Sequence, residues 1–411
     1  MFEIIPRCQY TPRVRSKLSP TKRFFTTTWG DTGLHICFLS NGYGEDNAAA
    51  QIAGRLKDRH PWSLVTGAPL VTAGDAYTGA GLPVLTQGTP PPSGGFPLKS
   101  LRGFLLDVPC VPRYSRYCSV LRNRRAEIDH AVVVGDVALL ALGYLSFRRR
   151  LIFVELAKSS FKGSHCGIEE RLLRRIPCKV LTRDEPTARD LRDRGIDADF
   201  LGNPMMDGLT PKGVDLGDGP MVGILPGSRD EAYRNLRRLL AVVERMDEGV
   251  RFVCAMPSCL RLERIIESVR ADNWAFKDGH LSKNGRSILM ARDCFEDVIS
   301  KSQVILGLAG TANEQAAGVG TPVVSFAGCG PQTTAGRMRD QERLLGGAVK
   351  FVRDFPEGVV SELSRLLVDP AERVRRGRIG SLRMGAPGGS DAIVQFLAEE
   401  FGLRSASQIA A

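Results

Sequence analysis

Two successive series of strand-length apolar runs, each alternating with helix-length amphipathic segments, predict an α/β chain of two facing Rossmann-like domains. Parallel sheets and a cleft between the domains follow from that pattern. The length agrees, because 411 residues exceed what one ordinary hydrophobic core organises. The third observation is a break: residues 211–220 are rich in Gly, Asp and Pro, and the pattern restarts at Met221. The expected layout is a basic extension over 1–30, an N-terminal domain over 31–210, a C-terminal domain over 220–390, and a closing helix and tail over 391–411.

The first series opens with a strand over 34–40, a glycine-containing turn over 41–45 and a helix over 46–57 with an acidic start. Further buried strands are expected at 130–134, 150–154 and 178–181. Between them, residues 74–95 are rich in Gly, Pro and Thr and predict a long irregular excursion. In the second series, strands are expected at 221–225, 251–255, near Ile288, at 303–306 and at 322–326. Helices fall between them, from about Asp230, through 261–269, from Thr311 and up to about Leu345. Small molecules bind such sheets beyond the carboxyl ends of the strands.

Composition narrows the function classes. The 43% hydrophobic and 25% charged content is that of a soluble globular protein. No apolar run reaches spanning length, since Asp136 interrupts the best candidate, 131–147. A net charge of +11 favours anionic partners, namely nucleotides or phospholipid surfaces. Nucleic acid is disfavoured, because no helix-turn-helix, zinc-finger or RNP-type pattern accompanies the charge. The ten cysteines occur singly and the five histidines are isolated, which points to reduced thiols in a cytosol-like compartment and to no metal site. The extension over 1–30 carries six basic residues and no apolar h-region, so it is not a secretory signal. A disordered extension, a transit-like targeting peptide and a start placed upstream are the readings it allows.

Three strand ends of the second series carry candidate phosphate loops. Gly223-Ile-Leu-Pro-Gly-Ser-Arg229 follows the first strand. There Gly227 permits close backbone approach, Ser228 and the next amides are expected at a helix start, and Arg229 supplies a planar cation for a diphosphate. An ordinary turn capped by Ser228 has the same sequence signature. Gly310, Thr311, Glu314 and Gln315 open the next helix, with Thr311 as N-cap and Glu314 at its third position. That spacing reads either as a capping box or as a carboxylate for ribose hydroxyls. The third loop ends at Gln332. In the first series, Ser40-Asn-Gly-Tyr-Gly-Glu-Asp46 fills the first strand–helix turn but lacks the third glycine of a dinucleotide fingerprint, which disfavours a redox Rossmann enzyme. Asp136 follows a buried strand, where a carboxylate either caps a helix or deprotonates an acceptor hydroxyl. The pair Asp197-Ala-Asp199 has the form of a metal-binding Asp-x-Asp but is discounted.

Together, Leu-Pro-Gly-Ser-Arg229 and Ala-Gly-Thr-Ala-Asn-Glu-Gln315 resemble lipid-A-disaccharide synthase, and the lipid-A-disaccharide synthase-related family more closely. The resemblance spans roughly 34–401 and includes Asn41-Gly-Tyr-Gly-Glu-Asp46, Pro92-Ser-Gly-Gly-Phe96, Ala157-Lys-Ser159, Arg183-Asp184, Gly202-Asn-Pro-Met-Met-Asp207 and Gly330-Pro-Gln332. It implies a GT-B fold and inverting, metal-independent hexosyl transfer, with an N-acylglucosaminyl group as one candidate. The UDP-sugar is then a substrate, no cofactor is needed, and the acceptor is a lipid-linked or other hydroxyl. By matching motif, Gly227, Ser228 and Arg229 would meet the diphosphate, Gly310, Thr311 and either Glu314 or Gln315 the nucleotide, and Gln332 the donor sugar. Asn41, Gly42, Gly44, Lys158, Ser159 and Asn203 would lie on the acceptor side. Asp136 is the expected base, with Glu45 or Asp46 as the alternative. A UDP-sugar epimerase of the same two-domain form and a non-catalytic nucleotide-sugar binder are the rival readings. Residues 96–125 hold seven basic residues against one acidic, interleaved with Phe and Leu. That segment fits either peripheral contact with an anionic inner-membrane surface or a helix packed on its own domain.

Overall fold

The computed structural model describes residues 33–89 and 110–403. The extension over 1–30, the motif over 92–96, the first part of the amphipathic segment and the tail beyond 403 lie outside the described residues. The N-terminal domain runs β1 (His35–Ser40), α1 (Tyr43–Arg59), β2 (Leu64–Pro69), α2 (Asp75–Gly79), α3 (Val111–Asn123), β3 (His130–Gly135) and α4 (Val137–Phe147). It continues with β4 (Leu151–Glu155), α5 (Gly167–Arg175), β5 (Cys178–Thr182), α6 (Glu185–Asp193) and β6 (Ala198–Asp199). Its six strands pair in parallel in the order β2-β1-β3-β4-β5-β6.

The side chains of this sheet alternate between two cores, as the period of a strand requires. Ile36, Phe38, Val132 and Val134 pack with Ala49, Ile52 and Leu56 of α1. Cys37, Leu39, Ala131 and Val133 pack with Leu121 of α3, Leu139 and Leu140 of α4 and Leu173 of α5. Both faces are covered, which is why the strands read as unbroken apolar runs. Helix α1 carries Glu45 and Asp46 in its first turn and Lys57 and Arg59 in its last, each favourable to its dipole.

The C-terminal domain runs β7 (Met221–Leu225), α7 (Ala232–Val243), β8 (Arg251–Met256), α8 (Leu262–Arg270), β9 (Ala275–Lys277), β10 (His280–Lys283), β11 (Arg286–Arg292) and α9 (Phe295–Lys301). Then follow β12 (Val304–Gly307), α10 (Thr311–Gly318), β13 (Val323–Ser325), α11 (Ala335–Leu345), β14 (Val349–Phe351), α12 (Glu357–Val368), α13 (Pro370–Met384) and α14 (Gly389–Glu400). The sheet order is β14-β13-β12-β7-β8-β11-β10-β9. Among the described strands of this sheet only β10 runs against the others, pairing antiparallel with both β11 and β9.

Helix α14 is not a free tail. It returns to the N-terminal domain, where Ile393, Val394 and Leu397 join the core that holds Ile36 and Phe38. Asp391 pairs with Arg55 and Arg59, and the rings of His130 and Phe401 stack at 4.0 Å. The Asp207 carboxylate accepts from the backbone N–H of Gly388 and of Ser390, pinning the start of α14 to the interdomain segment. In α3, Tyr117, Cys118 and Leu121 are buried in the domain's own core, while Arg113, Arg116 and Arg122 are exposed beside Val111. The described part of the amphipathic segment therefore packs its apolar side inward. Among the described residues no helix is long and apolar enough to cross a membrane.

Candidate active site

Each sheet has one point at which consecutive connections leave in opposite directions. The chain goes from β1 to β2 on one side and reaches β3 on the other; likewise β7 lies between β8 and β12. Crevices open beyond the carboxyl ends of strands at such points. Here both open into one cleft of about 910 Å³, lined from both domains. One wall carries Asn41, Gly42, Gly44, Glu45, Asp136 and Lys158, and the other Gly227, Ser228, Arg229, Gly310, Thr311, Glu314, Gln315 and Gln332.

On the C-terminal wall Gly227 has φ +92°, a left-handed conformation natural to glycine. Ser228 is not at a helix start, as was expected, nor does it cap a helix, the alternative reading. Residues 228–231 form bends and a turn, and α7 starts only at Ala232, because Pro226 and Gly227 carry the chain away from the strand before it can coil. Arg229 reaches the opposite wall, its guanidinium carbon 5.7 Å from the centre of the Tyr43 ring. Of the two readings of Thr311 and Glu314, the capping box is not formed. Gly310 is the N-cap, with no side-chain cap, and Thr311 is already helical. Glu314 instead accepts from Arg183 Nη2 at 2.9 Å, across the domain boundary. Gln315 donates from Nε2 to the carbonyl of Met205 at 2.9 Å, and Gln332 Oε1 accepts from Arg337 Nη2 at 3.2 Å. A Cβ on Gly44 would stand 2.4 Å from Thr311 Oγ1, so the walls touch at a place where only a glycine fits.

On the N-terminal wall Asp136 is the N-cap of α4, with Oδ1 accepting from Leu139 N at 2.9 Å. Lys158 is paired with Glu169 at 2.8 Å. Three expected site residues do not reach the cleft wall. Asp46 is buried and accepts from Thr72 Oγ1, because its place one residue after Glu45 turns it towards the loop that follows β2. Ser159 is buried and caps a short 3-10 turn over Ser160–Lys162. Asn203 is fully buried, accepting from Met205 N at 3.1 Å and donating to the carbonyl of Met384 at 3.0 Å. It joins the domains from within.

The cleft mixes opposed charges. Burial pushes the Glu45 carboxyl above its ordinary value, its own backbone amide opposes this, Asp136 raises it further and Arg229 lowers it. Burial likewise raises Asp136, against hydrogen bonds from the Leu139 amide and the Asn41 side chain. Arg337, which the sequence reading overlooked, lines the same cleft. Burial pulls its guanidinium down to about 10, Asp340 opposes the fall, and the neighbouring charge of Arg229 adds to it. It remains cationic at neutral pH. No local signal marks Arg337, since it is one of several arginines on a polar helix. Among the described residues no group of three or more His, Cys, Asp or Glu side chains could hold a metal ion. Asp197 and Asp199 both pair with Lys179.

No protein-family model and no curated protein matches the sequence. Solved structures do match the fold. The calicheamicin glycosyltransferase CalG4 superposes with a TM-score of 0.59 at 16% identity, over 90% of this chain and 98% of its own. The MurG of Acinetobacter baumannii gives 0.55 at 12% identity, over 89% and 99%. The UDP-GlcNAc 2-epimerase of Neisseria meningitidis, solved with UDP-GlcNAc bound, gives 0.54 at 14% identity, over 89% and 100%. The fold is GT-B-like. Glycosyltransferases and UDP-GlcNAc 2-epimerases both have it, so at these identities it carries architecture and leaves the reaction to the site.

Proposed function

We propose that this chain transfers a hexosyl group from a UDP-sugar to a hydroxyl acceptor, in the manner of lipid-A-disaccharide synthase and with inversion at the sugar carbon. One observation carries the reading: the glycine-bordered loop of Arg229 faces Glu45 and Asp136 across a single cleft built from two strand switch points. The diphosphate would lie against residues 227–229 and the start of α10, with the nucleotide beside Thr311 and Glu314 and the donor sugar towards Gln332. Asp136, or Glu45 beside it, takes the acceptor's hydroxyl proton as that oxygen attacks the anomeric carbon. The bond from that carbon to the diphosphate oxygen breaks, and UDP leaves with the electron pair. Arg229 and the loop amides stabilise its developing charge. No metal or cofactor enters the scheme.

The acceptor is proposed to be lipid-linked. Exposed Arg113, Arg116 and Arg122 on α3, on the acceptor-side domain, supply a basic face for an anionic interface. The test is a product assay with UDP-GlcNAc, with and without an acylated glucosamine phosphate. Disaccharide and UDP formed only with the acceptor support transfer. An epimerised UDP-sugar formed without acceptor makes the chain an epimerase, and binding without any product makes it a nucleotide-sugar binder.

A further inference from the structure

Arg183 stands at the end of β5 in the N-terminal domain, yet its guanidinium is spent on the other domain's nucleotide wall. Its side chain is 3% exposed. Nη1 donates to the carbonyl of Leu156 at 3.1 Å, and Nη2 donates to Glu314 Oε2 at 2.9 Å and lies 3.3 Å from the sulfur of Met384. The planar fork thus bridges a fixed backbone oxygen to the carboxylate of a cleft residue. Glu314 is 14% exposed, and its second oxygen takes no hydrogen bond from the described residues. A carboxylate with one oxygen held by a buried cation keeps its other lone pairs in a set direction, here on a residue that lines the cleft.

We infer that Arg183 is a positioning residue for the nucleotide: it fixes Glu314 so that the free oxygen accepts from a ribose hydroxyl. The N-terminal domain then takes part in reading the donor, although the donor lies on the C-terminal wall. This rests on the proposed nucleotide site and adds a residue and a coupling to it. Hydroxyl recognition holds only while the domains are in register, because the cation that orients the acceptor oxygen comes from across the boundary.

The experiment is calorimetric titration of the full chain with UDP, 2′-deoxy-UDP and 3′-deoxy-UDP, for the native protein and for Arg183→Met, Arg183→Lys and Glu314→Gln. The native protein is expected to prefer UDP over at least one deoxy analogue by roughly 10- to 100-fold, the range of a hydrogen bond to a charged group. Arg183→Met should bring that ratio close to one by weakening UDP while leaving the deoxy analogue unchanged. Arg183→Lys should restore part of it, and Glu314→Gln should lose it as Arg183→Met does. If Arg183→Met does not fold, Arg183→Lys must still show a reduced ratio. A native ratio of one, a ratio that survives both Arg183 substitutions, or an equal loss for all three ligands would overturn the inference while leaving the nucleotide site standing. Failure of the native protein to bind UDP at all would overturn the site and this inference together.

Discussion

Glu45 and Asp136 reach the cleft from different elements, and each also serves a helix. Asp136 caps α4, and Glu45 sits in the first turn of α1. Capping and the proposed base chemistry at Asp136 are separable, because asparagine caps a helix about as well as aspartate. Asp136→Asn should keep the melting temperature and lower kcat by about 10²–10⁴-fold, the usual span of a general base. An unchanged kcat would move the base to Glu45. The base works ionised, and burial raises both carboxyls. The acid limb of kcat/KM should therefore lie above the ~4 of an ordinary carboxylate, with activity falling as pH falls through it. A limb at ~4 in the pH–rate profile would contradict the assignment of either residue. Asp46 behaves differently: burial raises it to about 6, against hydrogen bonds from Ser40 and Thr72. A carboxyl raised in the folded state holds its proton more tightly there than when unfolded. Its contribution is fully present below pH ~4 and is lost as pH rises through about 6. Asp46→Asn should thus stabilise the fold at pH 7.5, by up to about 3 kcal/mol and seen as a higher urea midpoint, and gain little at pH 4. Equal effects at both pH values would show that Asp46 pays no such penalty.

At the scale of elements, the strands were legible because they are buried on both faces and so read as continuous apolar runs. The β9–β10 hairpin was not, since most of its residues are partly exposed or exposed and show no clean alternation. Glu314 shows the second limit. Its spacing from Thr311 satisfies a local capping rule, but its partner Arg183 lies 131 residues upstream, and no local pattern reports that distance. Asn203 and Ser159 were placed near the acceptor by motif, and the structure uses both to fix backbone turns. Arg229 and Asp136 were legible as cleft residues because each follows the carboxyl end of a buried strand, where crevices of such sheets open. The closing helix supplies its own test. Asp207 accepts two backbone N–H bonds at the start of α14, so Asp207→Ala should lower stability by about 1–2 kcal/mol. The loss should appear in denaturant unfolding, with faster amide exchange along α14. Unaltered exchange there would show that packing alone holds the helix.

For the molecule as a whole, the contact of Gly44 with Thr311, the reach of Arg229 to Tyr43 and the Arg183–Glu314 pair describe two walls already in register. Gly44→Val would push them apart, because a Cβ alone already meets Thr311 Oγ1 at 2.4 Å. Its expected signature is a loss of kcat exceeding the loss of UDP affinity, since one wall still holds the nucleotide while the acceptor wall retreats. A loss of affinity with kcat preserved would place the contact outside the reaction path. Whether the C-terminal wall holds a uridine diphosphate, as proposed, is decided by titrating the native chain and Arg229→Ala with UDP, GDP and NAD in a calorimeter. UDP is expected to bind, GDP and NAD to bind far more weakly, and Arg229→Ala to lower UDP affinity by tenfold or more, a cost of about 1.4 kcal/mol or above. Equal affinity for all three ligands, or UDP affinity unmoved by the loss of Arg229, would contradict it.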